Sequence, residues 1–150
     1  MLVNDRLARS SRRVLLSLWV GGVATIDFVE TPTRFTVKDV DRNQIIAIGR
    51  RVFASVNLME LGLSALSMPF LWSKDASGAR KRILPMGGMA LSQFIFLRPR
   101  LLKAGEGLDY ASTDRSDPRF AQHRRLHRVY VALDLVKLGL GVWAIAREDK

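Results

Sequence analysis

Apolar residues gather into four runs, each close to the roughly 20 residues that a helix needs to cross a bilayer. They cover about 14–35, 45–72, 83–102 and 129–146. The pattern predicts an all-α protein, a single domain built as a four-transmembrane-helix bundle. The second run carries Arg50 and Arg51 near its start, so its membrane part is expected to begin near Val52. The connections are unequal: 36–44 is short and polar, 73–82 short and basic, and 103–128 long and highly charged. The last part of that long connection, 119–128, reads as a helix running on into the fourth span.

None of the four runs is free of polar residues, and their spacing carries information. Residues three, four and seven apart share one face of a helix. Asp27, Glu30 and Arg34 have that spacing in the first run, and Asn57, Glu60 and Ser64 in the second. Gln93 and Arg100 lie seven apart in the third, with Arg98 nearby, and His127, Tyr130, Asp134 and Lys137 line up in the fourth. Charges in hydrocarbon are costly and usually face the bundle interior with partners. Four helices with one polar stripe each predict a bundle that is polar inside and apolar outside. Glu30 or Glu60 is expected within salt-bridge reach of Arg98, Arg100 or Lys137. Two readings of this cluster stand side by side: a structural ion-pair network that fixes helix register, and a site for a small polar solute, an ion or protons.

Charge sets the orientation. The net charge is +10, but most bases flank apolar runs, as with Arg6, Arg9, Arg12 and Arg13 before the first and Arg80, Lys81 and Arg82 before the third. That is where membrane proteins meet anionic headgroups, so a nucleic-acid partner is not expected and the lipid bilayer is. Basic short loops stay cytoplasmic. Both termini are therefore placed inside, in a multi-pass protein of a bacterial inner membrane, although the basic third connection conflicts with its external placement. Ser11-Arg12-Arg13-Val14-Leu15-Leu16 faintly resembles a twin-arginine signal. An uncleaved anchor is the preferred reading, because the apolar run continues and three more follow.

Candidate chemistry is sparse. There is no cysteine, and no phosphate-binding loop, nucleophile elbow or zincin motif. His123 and His127 are four apart, a spacing that can bind metal or haem, but Arg124, Arg125 and Arg128 would repel a cation. No cofactor and no enzymatic activity are expected. His127 is instead placed at the membrane boundary, bonding a backbone group and a carboxylate and so pinning the long connection to the bundle. Gly21-Gly22 and Gly87-Gly88 suit close helix contact, and Pro69, Pro85 and Pro99 are positions where a helix kinks or ends.

Three stretches together resemble the TMEM205-like family of small four-helix membrane proteins, a domain of unknown function. They are Trp19-Val20-Gly21-Gly22 followed by Phe28 to Phe35, then Leu97-Arg98-Pro99, then Arg125-Leu126-His127 with Tyr130, Leu133 and Gly139-Leu140. The resemblance covers roughly residues 14 to 146 and implies mainly architecture, with Pro32, Phe35, Pro99 and His127 at family-typical positions. Asp27, Glu30, Asp134 and Lys137 are more charge than the family leads one to expect. The function expected is non-enzymatic: binding or passing a small polar solute or ion through a charge-paired interior. The alternative is an accessory subunit of a larger membrane complex or a homo-oligomer, and the third reading is a haem- or metal-binding redox protein.

Overall fold

The computed structural model describes residues 4–74, 76–112 and 116–147. It is 85% helical, with no strands among the described residues. Four long helices carry the fold: α1, Asp5–Arg34; α2, Arg42–Trp72; α3, residues 77–104; and α4, Pro118–Arg147. Polar caps start three of them. Asn4, Asp41 and Asp117 accept from the backbone N–H groups of Arg6, Asn43 and Arg119, satisfying first-turn donors that have no partner inside a helix. α4 begins at Pro118, so the predicted run-on helix starts one residue earlier than expected.

Each helix packs on its chain neighbour, and α4 closes the ring against α1. Small residues permit the approach: a β-carbon at Gly87 would overlap the Ser64 hydroxyl, and one at Gly141 would overlap Val20. Of the two glycine pairs, Gly22 and Gly87 face neighbouring helices, whereas Gly21 and Gly88 face open space.

The interior changes character along the bundle axis. Towards the end that holds Asp5 and Arg147 it is apolar, with Leu16, Val23, Leu71, Ile83, Met86 and Ala144. Arg12 closes that end, fully buried, donating to the Phe70 carbonyl and the Ser73 hydroxyl. Mid-bundle it is polar, with Asn57, Glu60, Gln93, Asp134 and Lys137 all buried. The outer surface is the reverse: Leu18, Phe28, Leu58, Leu66, Phe96, Leu135 and Val142 are all about half exposed or more. Burying an ammonium while exposing leucine is costly in water and natural in lipid.

Three helices, α1, α2 and α4, are long and apolar enough to cross a membrane. Helix α3 does not join them by composition, because Gly87, Gly88, Gln93, Arg98 and Arg100 dilute its apolar run.

Two helices widen into π turns. Thr31 N–H donates to the Ile26 carbonyl and Arg98 N–H to the Gln93 carbonyl, each five residues back. Proline follows each widened turn at the same offset, Pro32 after Ile26–Glu30 and Pro99 after Gln93–Leu97. A proline has no N–H to give and its ring crowds the carbonyl four residues back, here that of Phe28 or Ile95. Both carbonyls lie inside the widened turns, which relieve the clash.

Candidate functional site

Lys137 is the hub of the polar layer. Its Nζ donates to Glu60 Oε1 at 2.5 Å and pairs with Asp134 Oδ1 at 2.9 Å, and all three side chains are at least 95% buried. Neutral donors complete the set. Trp19 Nε1 donates to Glu60 Oε1 (2.9 Å), and Gln93 Nε2 donates to Asp134 Oδ1 (2.9 Å) and to the Tyr130 carbonyl (3.2 Å). Asn57 Nδ2 donates to Tyr130 Oη (2.5 Å) and to Glu60 Oε2 (3.4 Å). All four helices contribute, so the layer specifies which faces meet. Two acceptors stay unmatched in this buried layer, Asn57 Oδ1 and Gln93 Oε1. Asp27 stands at its edge: it makes no hydrogen bond among the described residues, but the charges of Asp134, Lys137 and Glu60 all act on it.

Beside the polar layer, at the end where α1 passes into α2, lies a cavity of about 200 Å³. Its walls are mainly apolar, from Phe35, Ile45, Ile46, Phe53, Leu101 and Leu102. Its charged lining is of one sign, Arg34, Arg50 and Arg98, with no carboxylate among the described residues, and the imidazoles of His123 and His127 also line it. Tyr130 belongs to both, lining the cavity while its hydroxyl meets Asn57.

The arginines are held differently. Arg34 Nη2 pairs with Glu30 at 3.2 Å and reaches Thr31, while its Nε and Nη1 are buried without a partner. Arg50 donates to the Gly105 carbonyl (2.9 Å) and Tyr110 Oη (3.3 Å) and lies over the Tyr110 ring. Arg98 has no hydrogen-bond or ion-pair partner among the described residues.

The predicted polar cluster thus divides. Asn57, Glu60, Gln93, Asp134 and Lys137 come together, with Asp27 at the margin. Glu30, Arg34 and Arg98 belong to the cavity end, and Arg100 joins neither, being exposed and turned back on the Phe96 carbonyl. Of the motif residues, Phe35 and His127 line the cavity, and Pro32 and Pro99 follow the two π turns beside it. Trp19 and Arg50 are the participants least visible in sequence, while Tyr130 lies on the predicted stripe of the fourth run.

His127 departs from expectation. It is exposed, makes no hydrogen bond among the described residues, and stacks on His123 with ring centres 6.5 Å apart. The long connection is pinned instead by Arg50 and by Asn43, which donates to Asp109 (2.7 Å) and accepts from Tyr110 N–H (2.7 Å). Asn43 and the backbone N–H groups of Ala111 and Ser112 hold the Asp109 carboxyl below its ordinary range. Asp117 is likewise depressed, by its Arg119 side-chain pair. No third histidine or carboxylate joins His123 and His127 as a metal-ligand set among the described residues.

No family model, curated protein or solved structure matches the chain. Its site is therefore read from its own chemistry.

Proposed function

We propose that the chain is a four-span integral membrane protein of a bacterial inner membrane, with both termini cytoplasmic, that binds a small ionic solute without transforming it. The observation that carries this reading is the cavity lined by Arg34, Arg50 and Arg98, which shares Tyr130 with the buried network. The cavity is large enough for a small solute, and its charged lining is supplied by arginines alone.

Binding is favoured over passage. Beyond Glu60 the interior closes on Leu16, Leu71, Ile83 and Met86, which offer an ion no partners. Membership of the TMEM205-like family belongs to the same proposal, supported by the position of Phe35 and His127 on the cavity wall.

Thermal unfolding of the detergent-purified protein against panels of small anions, cations and neutral polar solutes tests it. A ligand that binds only the folded state raises the unfolding temperature by mass action. One charge class should do so in the parent and less in Tyr130→Phe. No shift from any class overturns the reading.

A further inference from the structure

We propose that the ligand is an amphipathic anion: a single carboxylate or phosphate head carried on an apolar tail. This rests on the solute-binding reading above and goes further by naming the chemical class.

The sign of the charge comes from the lining. Three guanidiniums and two imidazoles face the cavity without a carboxylate among the described residues, and only one of the three arginines, Arg34, has a carboxylate partner, Glu30. Arg50 and Arg98, two cations beside hydrocarbon without a carboxylate partner among the described residues, favour something negative joining them. Guanidiniums suit that role, since their planar fork matches the oxygens of carboxylate and phosphate.

Arg34 gives the second, independent observation. Its side chain is 92% buried, and its Nε and Nη1 have no partner although Nη2 is fully engaged. A buried donor left unpaired costs roughly 1–3 kcal/mol, more when charged. Here two such donors belong to a residue on the cavity wall. The position is arranged by the neighbouring helix: a β-carbon at Gly49 would overlap Arg34 Nη1, so only glycine lets the guanidinium lie there. Arg98 adds a cation from α3 that has no partner among the described residues.

The tail comes from the walls. Phe35, Ile45, Phe53 and Leu101 make most of the cavity surface apolar, which a bare inorganic anion would not use. An apolar cavity of about 150 Å³ already holds a benzene ring. At about 200 Å³ the space takes a head and a short stretch of chain, the rest extending outwards.

The test is direct binding to protein in phosphatidylcholine nanodiscs. The probes are decanoate and decyl phosphate, against decanol, decyltrimethylammonium, acetate and inorganic phosphate. The two anionic amphiphiles should bind at least about tenfold tighter than the other four. Arg98→Gln and Gly49→Ala should each weaken them about tenfold with the unfolding temperature unchanged, and Arg100→Gln should do nothing. Equal binding of decanol or the ammonium overturns the anionic class while leaving the solute-binding reading intact. Equal binding of acetate or phosphate overturns the tail. Silence from all six, with a thermal shift from some other solute class, sinks this proposal alone; silence everywhere sinks both. Anionic lipid added to the nanodisc separates the sources. If it displaces decyl phosphate the natural ligand comes from the bilayer, and if it does not, from solution; either result supports the anionic amphiphile.

Discussion

Lys137 is a cation at the centre of a bundle, and its two carboxylate partners leave the trio with a formal excess of negative charge. The donors Trp19, Asn57 and Gln93 spread that excess over several short hydrogen bonds. Removing the cation alone leaves Glu60 and Asp134 facing each other in low dielectric. Lys137→Met should therefore cost about 3–5 kcal/mol of stability, the usual range for orphaning a buried ion. Glu60→Gln with Lys137→Met should cost clearly less than the two single changes summed, because the neutral amide needs no counter-charge. Denaturant titration in detergent measures both. At this scale the sequence was informative where spacing and residue type agreed: Asn57 and Glu60, and Asp134 and Lys137, sit three apart and face inwards together. Tyr130 lies on the predicted stripe of the fourth run, but the sequence was uninformative for Trp19, whose indole N–H is invisible behind a large apolar ring until a partner is known. Arg50 read as a flanking base because nothing nearby in sequence names Gly105 and Tyr110 as its acceptors.

The helices explain why the stripes did not stay whole. A widened turn holds one residue more than an α-helical turn, so a wheel drawn at regular spacing is out of phase beyond it. Asp27 lies within Ile26–Glu30 and Arg34 beyond it, and Gln93 opens Gln93–Leu97 with Arg100 beyond it. In each case the first residue turns to the polar layer and the later one does not. The prolines that follow were visible in the sequence; the widened turns they accompany were not. Pro99→Ala restores a backbone donor and should leave thermal stability equal or higher. It should also lower ligand affinity, by letting α3 tighten after Leu97 and shift Arg98 on the cavity wall. Unfolding and binding measured on one preparation check both halves. The connection after α3 has its own signature. Asp109 is depressed when folded, so its contribution is present above its unfolded pKa and lost as pH falls through the lower folded value. Hydrogen exchange at Ala111 N–H, which donates to Asp109, should accelerate below the ordinary carboxylate range, and Asn43→Ala should bring that acceleration to higher pH.

For the molecule as a whole, the surface departs from that of a protein that folds in water: large apolar residues lie outside, while a charged layer lies within, next to an apolar core. Leu58 lies near the middle of α2 and is 59% exposed. In water, Leu58→Lys would be an ordinary surface change. Across a bilayer it places an ammonium in hydrocarbon, at about 2.5–3.5 kcal/mol on insertion scales. Leu58→Lys should therefore cut membrane insertion sharply and Leu58→Ala should not, as read by membrane fractionation. Reporter fusions at Asp39, Gly78 and Gly107 should give external, cytoplasmic and external signals; an external Gly78 would reverse the orientation. The helical architecture was legible because hydropathy and length are summed over many residues and tolerate local error. The cavity was not, because its lining comes from every helix and no short stretch of sequence holds it.

The π turns have a consequence for how this chain tolerates lost residues. Deleting one residue from an ordinary stretch of α-helix turns everything after it by about 100°, carrying core positions to the surface. A widened turn already contains the surplus residue. Taking out Val29, which faces outwards, would let Ile26–Glu30 close to a regular turn while Arg34 keeps its bearing on Gly49, provided Pro32→Ala removes the ring that resists closure. In a Pro32→Ala background, codon deletions scanned along α1 should accordingly be lethal to folding almost everywhere and mild in that window, so that the frame of the helix is written as much in where it can be shortened as in what it contains.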